Sequence, residues 1–153
     1  MAQSGYLVKV RSDKDTHFTG AIAQNAQESE DILLPGTLAS YARARLRSIN
    51  IISDQNLSWE VWLFAKDTFI ADVADLDLLF PRGRWRFDSG DGAQIAATGP
   101  YYYYIDGLDL PYQDEDMTQE LHVMLVNRSA TGKNAGATGE IVIEFQFELT
   151  TGW

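Results

Sequence analysis

Cysteine is absent from this 153-residue chain, so neither a disulfide nor a thiolate metal site is available to it. That fits a protein made in the cytoplasm or a particle assembled there. Histidine is scarce as well. His17 and His122 are far apart, and no HxH or HExxH pairing exists to hold zinc. Without a cysteine nucleophile or a GxSxG turn, a hydrolase triad has nothing to anchor it. No apolar run approaches the roughly 18–20 residues that span a bilayer. The opening MAQSGYLVKV has no basic stretch followed by an apolar one, so the expectation is no signal peptide and no membrane. Basic residues are also few, 12 against 22 acidic, giving a formal charge of −10 that argues against direct nucleic-acid binding.

What is present is hydrophobic content of 45% and aromatic content of 12%, enough for one packed domain. The dominant pattern alternates with period 2. Tyr6, Val8 and Val10 oppose Leu7, Lys9 and Arg11. In IVIEFQFEL, Ile141, Ile143, Phe145, Phe147 and Leu149 oppose Val142, Glu144, Gln146 and Glu148, a half-buried strand. LHVMLVN is apolar on both faces. SWEVWLF sets Trp59, Val61 and Leu63 against Glu60, Trp62 and Phe64, and Glu60 marks the second set as the wetter face. RLRSINIIS breaks its alternation at Arg47 and Ser48, as a β-bulge would. RWRF and AQIAA read as short strands beside Gly-rich turns. Residues 69–80 space Phe69, Val73, Leu76 and Phe80 like a helical turn, while IAQNAQESEDILLPG reads as extended loop or a turn of helix. Short strands separated by turn signals predict an all-β, single-domain β-sandwich of jelly-roll type with long irregular loops, spanning 1–153 with 1–5 and 150–153 as terminal extensions.

Several motifs fail on inspection. SATGKNAG lacks the first glycine of a phosphate loop, since Asn127 stands there, and Asn134 replaces its Ser or Thr. SDKD and DSGDG read as turns, because neither has the spacing of a calcium loop. NLS and NRS match the glycosylation acceptor by chance where no export signal is expected. His122, within an apolar strand, reads as a packed, hydrogen-bonded histidine. No cofactor and no metal are expected, and no pair of carboxylates stands out as a catalytic couple.

Charge is distributed unevenly. Arg43, Arg45 and Arg47 lie in RARLR, and Arg82, Arg84 and Arg86 in RGRWR; Asp106 to Glu120 carries six acids and no base. These are either solvated strand faces or complementary patches that meet between copies. YYYYIDG sends Tyr101 and Tyr103 to the core with Ile105, leaving Tyr102 and Tyr104 on the other side. Asn127 to Glu140 forms a connection of 14 small and polar residues, with Arg128 and Lys133, between two clear strands. A loop so long is either packed by a neighbouring subunit or a solvated tip.

YYYYIDGLDLPYQDED followed by LHVMLVNRSATGKNAGATGEIVIEFQFEL resembles the C-terminal half of jelly-roll capsid decoration (cement) proteins of tailed bacteriophages. The likeness covers roughly residues 99–149, with weaker support from RLRSINIISDQNLSWEVWLFAKDTF. It implies a non-enzymatic structural protein of the virion, on the capsid surface and made in the host cytoplasm. The implied partners are the major capsid protein and further copies of the chain, as a homotrimer. On that reading Trp62, Phe64, Tyr102 and Tyr104, with Arg43, Arg45, Arg47, Arg82, Arg84, Arg86, Arg128 and Lys133, form oligomer or capsid contacts. The alternative is a carbohydrate-binding jelly-roll module that stacks sugars on Tyr102, Tyr104, Trp85 or Trp153, with Asp106 and Asp109 accepting from hydroxyls.

Overall fold

The computed structural model describes residues 6–39, 44–64, 81–94, 96–113 and 118–149. Arg43, the helical candidate at 69–80, the acids at 114–116, Trp153 and the terminal extensions lie outside the described residues. The strands are β1 (Tyr6–Arg11), β2 (Gln27–Leu33), β3 (Ala44–Ser53), β4 (Trp59–Phe64) and β5 (Gly83–Phe87). They continue with β6 (Ala93–Gln94), β7 (Tyr101–Ile105), β8 (Leu110–Tyr112), β9 (Glu120–Asn127) and β10 (Ile141–Leu149). A short helical turn, α1 (Gly36–Ala39), follows β2.

One sheet has the order β1-β10-β3-β7-β6, with β8 also on β3, and the other has the order β2-β9-β4-β5. Every pairing is antiparallel. The pairs are nested: first strand with last, β2 with β9, β3 with β7, β4 with β5. Such nesting is a long hairpin rolled onto itself, the jelly roll that the strand pattern predicts.

The inward rows explain why these segments are strands. Val10, Phe145, Ile49 and Ile105 stand in one cross-strand row, and Ile143, Ile51 and Tyr103 in the next. From the opposing sheet come Trp59, Val61 and Leu63 of β4, Leu121, Val123 and Leu125 of β9, and Ile32 of β2, all in one buried cluster. Each large apolar side chain buried this way contributes roughly 1.5–3 kcal/mol. Tyr103 is fully buried and Tyr101 and Ile105 pack on the same core, as the alternation of the tyrosine run requires. Burial pushes the Tyr103 phenol up to about 12, and its one hydroxyl proton is shared between Asn56 Oδ1 at 2.6 Å and Leu57 O at 3.0 Å. The bulge sits where alternation breaks. Phe147 pairs with Leu46 and Gln146 with Ser48, so Arg47 is the extra residue.

Two expectations are corrected. Residues 27–33, read as loop, form edge strand β2, because β9 supplies its hydrogen bonds and Ile32 its core anchor. Its inward acids are usefully engaged: Glu30 accepts from Phe18 N at 3.2 Å and Glu28 from Gly20 N at 3.4 Å. The connection 128–140, read as packed by a neighbouring subunit or as a solvated tip, is held by its own chain. Ile22 and Lys133 exchange backbone bonds of 3.2 and 2.9 Å, and Gln55 Oε1 takes the Asn134 N–H at 2.6 Å. The Asn127 amide donates to Ile22 O and Thr131 O at 3.0 and 2.8 Å. At Gly139 an added Cβ would lie 1.9 Å from Asn134 O, so the loop closes only around a glycine there.

Tyr103→Phe removes the hydroxyl that ties β7 to the 56–57 turn while leaving the ring in the core. The expected loss is about 1–2 kcal/mol in urea unfolding; an unchanged midpoint would show that the two hydrogen bonds add nothing.

Candidate interaction surface

The two outward faces of the sandwich differ. On the β2-β9-β4-β5 sheet, Trp62, Phe64, Met124 and Val126 form a second apolar cluster, and all four are buried within the single chain. Trp62 and Phe64 stack with ring centroids 6.4 Å apart. The expectation of a wetter face around Glu60 is therefore corrected, since Glu60 is itself only 6% exposed. Its carboxylate accepts from Trp62 Nε1 at 2.6 Å and from Arg128 Nε at 3.2 Å, with Arg84 Nε 3.6 Å away. Arg84 also lies over the Trp62 ring at 5.3 Å, a cation–π distance. A carboxylate buried beside two guanidiniums is a costly group made tolerable by its partners. Trp62 and Phe64 thus belong to the packing of one subunit, and neither presents an open ring.

The outward face of the larger sheet stays open. Leu7 is 55%, Tyr104 54% and Ile52 38% exposed, with Tyr102 half-buried beside them. One cross-strand row runs Arg11, Glu144, Asn50, Tyr104, and the next runs Val142, Ile52, Tyr102. Glu144 organises the first row, accepting from Arg11 Nη2 at 2.5 Å and Asn50 Nδ2 at 3.3 Å. Burial alone would push its carboxyl up. The bonds from Arg11 and Asn50 and the charges of Arg11 and Lys9 outweigh that, and the net shift is down from 4.5. At the bulge, Arg45 and Arg47 both reach Asp109, at 2.9 and 3.0 Å, and Arg47 also bonds Glu148 at 2.9 Å. Partial desolvation and then the adjoining Asp106 carboxylate push the Tyr104 phenol up from 10.0.

The remaining basic residues separate. Arg82, Arg84 and Arg86 lie at or on edge strand β5 and are exposed, Arg86 bonding Asp88 at 2.7 Å. Lys133 is the opposite case. It is 3% exposed, and its amine donates to Gly20 O at 2.7 Å and Asn134 O at 3.1 Å. Burial pushes that amine down from 10.5, against the pull of Glu28, whose carboxyl burial pushes up. Lys133 is therefore a strut for the 128–140 loop. Leu7 and Ile52 are exposed apolar residues that the sequence reading did not single out; the available signal was an apolar side chain in the polar phase of each strand. Nothing in the pattern marked Glu60 as buried.

For the glycan alternative, Tyr104 is open and Tyr102 and Trp85 are half-buried. Asp31, Glu120 and His122 bring donor atoms within 4.8 Å of one another. His122 is fully buried with Nδ1 2.7 Å from Asp31, the hydrogen-bonded histidine that its apolar strand predicts. No protein-family profile matches the sequence, and no curated protein matches it. Among solved structures, a chain of tomato aspermy virus is similar over 94% of this chain and 76% of its own, with 9% identity and a TM-score of 0.46. A chain of desmodium yellow mottle tymovirus covers 98% and 84%, with 12% identity and a TM-score of 0.29. Likenesses this loose carry no argument; the jelly-roll assignment rests on the strand order itself.

Two outcomes follow from this geometry. Trp62→Glu should destabilise the folded monomer, by about 3–5 kcal/mol as for loss of other buried tryptophans; a fully stable variant would return Trp62 to the list of interface rings. Glu144 contributes stability that is present above pH 4.5 and lost as pH falls through its depressed folded value. Glu144→Gln should accordingly flatten the acid limb of the stability–pH curve.

Proposed function

We propose that this chain is a structural, non-enzymatic protein of a virus particle, a decoration (cement) protein that binds the major capsid shell and stabilises it. The observation that supports it best is the asymmetry of the sandwich. The centre of one outward face, at Trp62, Phe64, Met124 and Val126, is closed within the chain and leaves only Leu33 of edge strand β2 as an exposed large apolar side chain among its described residues, while the other face combines exposed Leu7, Ile52 and Tyr104 with ordered charges. A monomer gains nothing from such a face; a subunit of an assembly does. The resemblance of residues 99–149 to phage decoration proteins directs this reading to a capsid surface and to homotrimers. The arginines of β5, with Arg84 61% and Arg86 54% exposed in their side chains, are the natural contact for an acidic shell. The charge of the chain as a whole, −10, keeps decorated particles apart. Among the described residues no helix is long and apolar enough to cross a membrane.

A second reading is favoured by one feature, the exposed Tyr104 ring beside Asp106, which suits stacking on a sugar. A glycan array separates it from the first.

Purified chain should co-sediment with empty capsid shells and raise their rupture temperature. Binding should weaken as salt screens the β5 arginines. Arg84→Glu together with Arg86→Glu should lower shell affinity about tenfold or more, since like charges at an interface cost several kcal/mol. Failure of the native chain to bind any shell, with hits on the array, would overturn the decoration role.

A further inference from the structure

We propose that the open face of the larger sheet is a self-association surface, on which a second copy of this chain packs face to face about a two-fold axis. Two grooves lie side by side there. The first, about 360 Å³, is lined by Leu7, Tyr104 and Leu108 together with two carboxylates, Asp106 and Asp109, and one guanidinium, Arg47. The second, about 210 Å³, is lined by Ile52, Tyr102 and Val142 with two cations, Lys9 and Arg11, and one carboxylate, Glu144. The grooves therefore carry opposite net charge, and between them acids and bases balance.

The rest of the molecule does not balance. With 22 acids against 12 bases, two copies repel each other through most orientations. The neutral, partly apolar face is where that repulsion vanishes. A two-fold axis between the grooves sets the acidic groove of each copy on the basic groove of the other, so both complementary contacts form at once. This is the self-complementarity an isologous interface needs. Two sheets also pack well face to face, with the rings of Tyr104 and Tyr102 and the side chains of Leu7 and Ile52 interleaving. Lys9 has the freer charge of the basic groove: its side chain is 61% exposed and its amine is 3.9 Å from Glu144. Asp106 is its counterpart beside Tyr104.

The inference depends on the proposed function only for where the pairing is used, as a link between neighbouring units of an assembly. A three-fold association through other surfaces would carry it as a bridge between trimers. Analytical ultracentrifugation of the native chain across the micromolar range should show reversible pairing that weakens with salt. Lys9→Glu alone and Asp106→Lys alone should each weaken it about tenfold or more, because each sets like charges face to face. The double variant should recover most of the loss. An equimolar mixture of the two single variants should recover it as well, since a two-fold contact lets each variant complement the other. A native chain that stays monomeric, or a double variant no better than either single one, overturns the proposal. Shell binding measured on the same variants keeps the two readings apart: pairing without shell binding would leave this surface standing and remove the decoration role.

Discussion

The pairing of β10 between β1 and β3 is the constraint on which the remaining structure depends. Phe145 stands between Val10 and Ile49 in one row, so residues from opposite ends of the chain meet across neighbouring strands. Closing that contact nests every other pair inside it, β2 with β9 and β4 with β5. Ordering so long a loop costs chain entropy before any contact rewards it. The return comes from the buried rows of β10, β3, β4 and β9, which share one core. The 128–140 loop depends on the same closure: its partners, Ile22 and Gln55, belong to distant segments that only the rolled hairpin brings near.

Charge in this chain serves mostly its own architecture. Arg11 with Glu144, Arg45 and Arg47 with Asp109, and Arg128 with Glu60 are pairs set by register, not by nearness in sequence. The exposed pairs at Asp109 contribute little individually, roughly 0–1 kcal/mol. Their effect is to orient. The bulge at Arg47 turns two successive residues outward, so Ser48 reaches Gln146 while Arg47 spans Asp109 and Glu148. One irregular residue thereby links β3, β10 and the 106–109 turn on the open face. The buried Glu60 group serves the opposite face, where its partners fix Trp62 and Arg84.

The strands and their inward rows were legible in the amino-acid order because alternation is a local property of an extended chain. YLVKVR, WEVWLF, LHVMLVN and IVIEFQFEL each declare which side chains share a face. The break at Arg47 and Ser48 was legible for the same reason. Strand β2 was not, because QESEDIL has few strand formers and owes its conformation to β9 and to the backbone groups its acids receive. The closed state of Trp62 and Phe64 was also hidden, since alternation says that two residues share a face and nothing about what lies over it.

Local order along the chain therefore determined an all-β sandwich, the core membership of Tyr101, Tyr103 and Ile105, and the split of the tyrosine run. Tertiary structure alone decided that the centre of one outward face, at Trp62 and Phe64, is closed, and that Lys133 is a buried strut while Lys9 stands in solvent. The physical reason is that periodicity assigns a side to each residue, whereas exposure depends on which distant segment the rolled chain lays across that side.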